Sequence, residues 1–301
     1  MNSRWPIAVV AMILLAVASP ASSQQTTETS ETTDVSHSTA QHLEAFLTRW
    51  EISLGGQIGA PKGFVKVGEF DRSGDKLRLN NDLKIDTFEV ASLGAGFHIT
   101  DRDVIRARFD YTFLYGTTTR GDETAFNGAL LAAGEAIRTR PVFTRITGLY
   151  EHEFIHEPSG ALLAAGGGVT FVYLHFKLHG TLAPDTVGHE TQEDFYAQEL
   201  PVWLLALHGE YPISERVHLL GAVDGGFLPK VDSLRSEGGT VKLSQGHADV
   251  FAGVRVAVTP QIFADAGYTY TYFSQHETSH EDDNKFLFLG HAFGFGMTYR
   301  F

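Results

Sequence analysis

Three sets of side chains in this sequence have the right types and spacing to do chemistry. In the stretch SQGHAD, Ser244, His247 and Asp249 supply a hydroxyl, an imidazole and a carboxylate, the parts of a hydrolytic triad. Successive side chains of an extended segment point to opposite faces. His247 and Asp249 therefore share one face and Ser244 takes the other, and the three do not form a triad by themselves. The second set is His276, His280, Asp282 and Asp283 in HETSHEDD, imidazoles and carboxylates that can bind a divalent cation. No HExxH, EF-hand or Cys/His spacing accompanies them, so the run reads equally as a solvated loop, and neither a metal site nor a cofactor is expected.

The third set is the largest: Arg106, Arg108, Asp110, Arg145, Glu210, Asp224, Asp249, Arg255, Asp265 and Arg300. These residues sit singly between apolar neighbours. Arg106, Arg108 and Asp110 alternate with Ile105, Ala107, Phe109 and Tyr111, and Arg255 alternates with Val254 and Val256. Strict alternation is the signature of a half-buried strand. Mixed signs on neighbouring strands imply ion pairs across one face of a sheet.

The positioning elements follow from the same period of two. Alternating segments recur from Trp50 on and give ten strands, at roughly 49–58, 86–100, 103–118, 136–155, 161–178, 199–213, 216–231, 240–259, 261–275 and 286–301. Twelve is the alternative, because Phe64 to Phe70 and Lys76 to Ile85 also alternate; a hairpin extending outside the membrane is preferred for them. The stretch Gly168 to Phe176 is apolar on both faces and leaves its orientation open. Short connections, such as Thr100-Asp101-Arg102-Asp103, take turns with long polar ones at 60–86, 116–135, 179–198, 232–239 and 274–285. Short turns at one end and long loops at the other is the pattern of an antiparallel transmembrane β-barrel.

Composition narrows the function classes. The chain carries a net charge of −13, which argues against a nucleic-acid partner. It contains no cysteine, so thiol chemistry, disulfides and thiolate metal sites are excluded. Mean hydropathy is −0.08, far from that of a bundle of helical spans, each of which needs about 20 apolar residues. Residues 1–23 read as a cleaved secretory signal peptide, with Arg4 ahead of an apolar run at 7–18 too short to cross a bilayer. Residues 24–48, rich in Thr, Ser, Glu and Gln, read as a flexible polar tail, and 49–301 as the barrel domain.

The last strand carries a further pattern. Phe293, Phe295, Met297, Tyr299 and Phe301 are large and apolar or aromatic, and the residues between them are small or polar. In this the sequence resembles the outer-membrane β-barrel proteins of Gram-negative bacteria, whose final strand typically closes on Phe. The resemblance implies an address in the outer membrane, contact with its lipid and lipopolysaccharide, both termini in the periplasm, and recognition of the last strand by the barrel-assembly machinery. A monomer is expected, with no nucleic-acid partner. The duty expected of it is structural, narrow-channel or surface-interacting, around a polar lumen largely filled by side chains. The alternative is a protease or lipid hydrolase on the same barrel. The glycines of GAGFH and LAAGGGV are expected to relieve crowding rather than to cradle phosphate.

Overall fold

The structure is a computed structural model that describes residues 49–301 except 70–71, 158, 187–190, 196–199, 237–239 and 281. The expected signal peptide and tail, residues 1–48, lie outside the described residues, as does Phe70. Ten long strands make up the body: β1 (Trp50–Lys66), β2 (Phe88–His98), β3 (Asp103–Leu114), β4 (Val142–His156), β5 (Leu162–His179), β6 (Val202–Pro212), β7 (Val217–Ser236), β8 (Thr240–Ala257), β9 (Ile262–Thr278) and β10 (Asp283–Arg300). Each pairs antiparallel with its sequence neighbour, and β10 returns to β1 in a register from Glu51 opposite Arg300 to Lys66 opposite Lys285. The sheet is thus a closed antiparallel barrel of ten strands, not twelve. Closure leaves no unpaired edge between first and last strand.

One end is built from tight turns. Ile213 N donates to Val217 O at 2.8 Å, and Val258 N to Ile262 O at 2.9 Å. Hydroxyls hold two of these turns: Asp103 N donates to Thr100 Oγ1 at 3.1 Å and Ile262 N to Thr259 Oγ1 at 3.0 Å. Ser and Thr compete for backbone donors in this way, which stops a strand and reverses it.

The loop end differs from the sequence expectation. Much of the connections expected at 232–239 and 274–285 is instead strand among the described residues, with β7 running to Ser236, β8 starting at Thr240, β9 running to Thr278 and β10 starting at Asp283. Within 274–285 even the inward Gln275, Glu277 and Asn284 are polar although buried, so composition alone mimics a loop. The hairpin expected of 64–70 with 76–85 is present in a short form. β1 continues to Lys66 and pairs with the two-residue strand Leu77–Arg78, while Leu77, Leu79, Leu83 and Ile85 are fully buried inside the barrel. The segment expected as a polar loop at 116–135 contains a small hairpin, Thr124–Phe126 with Ala129–Leu131, joined by Asn127 and Gly128 at φ 50° and 69°. Both central residues of that two-residue turn have the positive φ that Asn-Gly favours. Phe126 and Leu131 drop from it into the core.

Two glycine positions are dictated by close approach. A Cβ on Gly166 or Gly168 of β5 would overlap the carbonyl oxygens of Tyr150 and Gly148 on β4. The glycine run of LAAGGGV therefore serves strand contact.

The inner face divides in two. Toward the turns it is ionic. Toward the loops Phe143, Phe273, Phe286 and Phe288 pack together, with Phe143 5.0 Å from Phe273 and 5.7 Å from Phe288 between ring centroids. Phe273, Phe286 and Phe288 are each 1% exposed. Replacing Phe288 with Ala is expected to cost about 3 kcal/mol, read from urea unfolding in detergent micelles; a change under about 1 kcal/mol would contradict a packed aromatic interior.

Candidate functional site

Strand parity brings all ten sequence candidates, Arg106 to Arg300, to the inner face, in two layers. The middle layer is built on β3, β4, β7 and β8. Arg145 donates from Nη1 to Asp249 Oδ2 at 2.5 Å and from Nη2 to Asp110 Oδ2 at 3.1 Å. Arg108 Nε stands 3.0 Å from the same Asp110 oxygen, and its Nη2 3.5 Å from Asp249 Oδ2. Hydroxyls complete the carboxylates: Ser92 donates to Asp110 Oδ1 and Thr271 to Asp249 Oδ1, both at 2.6 Å. Asp224 lies directly opposite Asp249 in the β7–β8 register, and its Oδ1 is buried without a hydrogen-bond partner. Two guanidiniums thus serve three carboxylates.

The layer nearest the turns falls into two clusters. Arg255 holds Asp265 in a fork, Nε to Oδ1 at 2.8 Å and Nη2 to Oδ2 at 2.9 Å, and also donates to Glu210. Arg106 pairs with Glu51 and donates from Nε to Glu151 Oε2 at 2.7 Å, while Arg300 Nε lies 3.4 Å from Glu51. The fork geometry explains why arginine fills every lumen cation position: it satisfies two carboxylate oxygens from one planar group. Glu51, Glu151, Ser92 and Thr271 were not among the sequence candidates. Glu51 and Glu151 share the parity of their strands' inward residues, and that was the available signal. The hydroxyls carry no such mark.

His247 sits at the junction of the two zones. It is 2% exposed, edge-on to Phe273 at 6.2 Å, and both ring nitrogens are buried without a hydrogen-bond partner. Asp249 points inward beside it, engaged with Arg145. Ser244 has the opposite parity, and its hydroxyl lies 3.5 Å from the His276 carbonyl. The three side chains of SQGHAD are not brought together. Gln245 Nε2 donates to Gln275 Oε1 at 2.9 Å in the next inward row.

The second sequence set lies at the loop end. His276 Nε2 is 3.0 Å from Asp283 Oδ1, and the same carboxylate takes Lys285 at 3.2 Å and Lys66 at 3.3 Å. Asp282 instead caps a turn, accepting from Ser279 Oγ at 3.4 Å. Among the described residues no cluster of three or more His, Cys, Asp or Glu could hold a metal ion. Burial on its own would raise the Asp283 carboxyl, but the hydrogen bonds from His276 and Lys285 and the charge of Lys285 hold it below the ordinary aspartate range.

The outer face is the complement. Trp203 is 71%, Leu205 77% and Phe293 72% exposed, and Phe295, Met297, Tyr299 and Phe301 are exposed on the same side of β10 as Phe293. A continuous apolar belt of this kind needs a non-aqueous surrounding.

No protein-family model matches the chain, and no curated protein matches it. Among solved structures it is similar to the outer membrane protease OmpT from Escherichia coli, at 13% identity over 83% of this chain and 97% of that one, with a TM-score of 0.47. The transport unit of the autotransporter AIDA-I, also from Escherichia coli, matches at 10% identity, 84% and 90% coverage and a TM-score of 0.38. The outer membrane protein OprG from Pseudomonas aeruginosa matches at 13% identity, 84% and 96% coverage and a TM-score of 0.29.

The middle layer makes a quantitative expectation. Arg145→Met leaves Asp110 and Asp249 to share Arg108 as their guanidinium partner and should cost about 3 kcal/mol. Arg145→Met with Asp249→Asn should recover part of that loss, because one of the two carboxylates sharing Arg108 is gone. Unfolding titrations of the two variants check the sign; strict additivity would show that the pair is not coupled.

Proposed function

We propose that the protein is a barrel of the Gram-negative outer membrane, exported through its N-terminal signal peptide and closed to ion flow, with a structural and surface-interacting duty. The observation that carries this reading is the exchange of faces along the long strands β1, β5, β8 and β10. Toward the turns, apolar residues point out and ions point in, as suits strands crossing hydrocarbon. Toward the loops, the same parity places Phe286 and Phe288 inward and Lys285 and Asp283 outward, the arrangement of a sheet in water. A barrel of this form stands part in lipid and part outside it. The turns then face the periplasm and the loops the exterior. The outward row Phe293, Phe295, Met297, Tyr299 and Phe301 is the feature the assembly machinery would read, and lipopolysaccharide is the lipid around the loop end.

The closed lumen supports a non-conducting role over the narrow-channel one. Ions entering from the periplasmic side would meet the interlocked guanidinium–carboxylate layers and then a plug of aromatic rings. A hydrated ion cannot cross such a plug without losing its shell, at a cost that buried apolar surroundings do not repay. The hydrolase alternative draws no support from the geometry of Ser244, His247 and Asp249. In planar bilayers the purified barrel is expected to be silent at all voltages. Steady single-channel steps from the wild type would overturn the closed-lumen reading, and hydrolysis of lipid or peptide substrates abolished by His247→Ala would replace it with the enzymatic one.

A further inference from the structure

Lysine is distributed unevenly over this barrel. The chain has eight lysines, and each lies in the loop-end half of a strand or in a loop-end connection. The lumen and the short turns use arginine, as at Arg106, Arg145, Arg102 and Arg216. On the outward face of β1, β10 and β9 the segregation becomes a cluster. Lys66 is directly opposite Lys285 across the β1–β10 pair, and Lys285 directly opposite His276 across β10–β9. Like charges facing each other across a sheet are destabilising. Here one carboxylate, Asp283, is set against both ammonium groups and the His276 imidazole, at 3.0 to 3.3 Å. The row therefore keeps an excess of positive charge, in a chain whose net charge is −13.

The surroundings of this row show what it faces. One step toward the belt lie Phe64 and Leu287, opposite each other, with the Lys76 ammonium 4.0 Å over the Phe64 ring. The next step holds Lys62, Leu289 and Tyr272. Ammonium groups, aliphatic side chains and a phenol alternate over two rows on one side of the barrel, where the apolar belt gives way to solvent-facing sheet. A molecule that matches this order has hydrocarbon chains below and negative charge immediately above them.

We propose that this face binds the phosphate-bearing headgroup of an outer-leaflet glycolipid, with phosphate at Lys66 and Lys285 and acyl chains along Leu287 and Leu289. The assignment rests on the membrane reading above and adds the partner's place on the barrel. Lysine suits it because a flexible ammonium follows a mobile phosphate, whereas the planar arginine fork suits the fixed carboxylates of the lumen. Fixing one lipid on one side also sets the rotational orientation of the barrel toward its lipid neighbours.

The test uses the full mature barrel in phosphatidylcholine vesicles containing a minor fraction of bis-phosphorylated lipid A or of the same glycolipid stripped of phosphate. Glycolipid retained per barrel after detergent washing is counted by mass spectrometry. The wild type should retain the phosphorylated form and not the stripped one. Lys66→Gln with Lys285→Gln should lower retention about tenfold, while Lys177→Gln with Lys230→Gln, also at the loop end but on β5 and β7, should leave it unchanged. Heat-modifiable gel migration confirms that each variant is folded. Equal retention by the first variant, or equal retention of the stripped lipid, overturns the proposal. Complete displacement by millimolar inorganic phosphate also overturns it, in favour of a free-anion site. A wild type that folds but stays out of vesicles of either composition overturns the membrane reading itself, a result recognisable because no lipid of any kind is then recovered.

Discussion

Every backbone N–H and C=O of a chain in hydrocarbon must find its partner within the protein, because the solvent offers none. In this molecule that constraint is met by a single ladder, β1 against β10, which turns a ten-strand sheet into a cylinder. Everything else follows from closure. Once the cylinder exists, alternate side chains are committed to two different environments. The outer set meets whatever surrounds the barrel and the inner set meets only itself. Arg145 and Asp249 can remain charged in the interior because each is held by several oppositely charged or hydroxyl-bearing neighbours, while Leu205 and Phe293 need no protein partner at all.

The same constraint explains why the lumen is composite. An entirely ionic interior must pair every charge, and the middle layer already leaves an oxygen of Asp224 without a partner. Toward the loops the strands are longer than the 9–11 residues that cross a bilayer. Beyond the belt their outward face is in water, so the apolar face is free to turn inward and build a core of the kind soluble proteins use. Val65, Leu77, Phe126, Phe176 and Phe288 come from widely separated parts of the chain to form it. The arrangement explains both the silence expected of the lumen and the order of the loop-end segments, which are anchored through their own apolar residues.

Strand parity made much of the fold legible in the sequence. The ten staves, their antiparallel order and the inward direction of the ionisable residues all follow from period two, because a one-residue slip would exchange lipid-facing and lumen-facing sets. The loop end was less legible, since there the solvent changes along a strand. Asp283 and Lys285 have one parity, and Phe286 and Phe288 the other. Once hydrocarbon is no longer outside, polar and apolar exchange faces, and the strand reads as a polar loop. The ambiguity at Gly168 to Phe176 has the same origin. Phe171 and Tyr173 face outward at the top of the belt, while Val172, Leu174 and Phe176 already belong to the core. The inward hairpin at 124–131 carried a readable sign in Asn127-Gly128, outweighed by the polar residues around it. The pairing partners within the lumen depend on which strands meet across the barrel, and no local pattern encodes that.

The exchange of faces can be measured directly. The chain lacks cysteine, so single-cysteine variants carry one spin label without background. Labels at Leu205, in the belt, and at Lys242, beyond it, are placed in vesicle-inserted barrels and their relaxation is compared with oxygen and with a water-soluble nickel chelate. Position 205 should respond to oxygen and be shielded from the chelate, and position 242 should be reached by the chelate. A label at position 205 reached by the chelate as freely as one in solution would mean that the apolar face does not meet hydrocarbon.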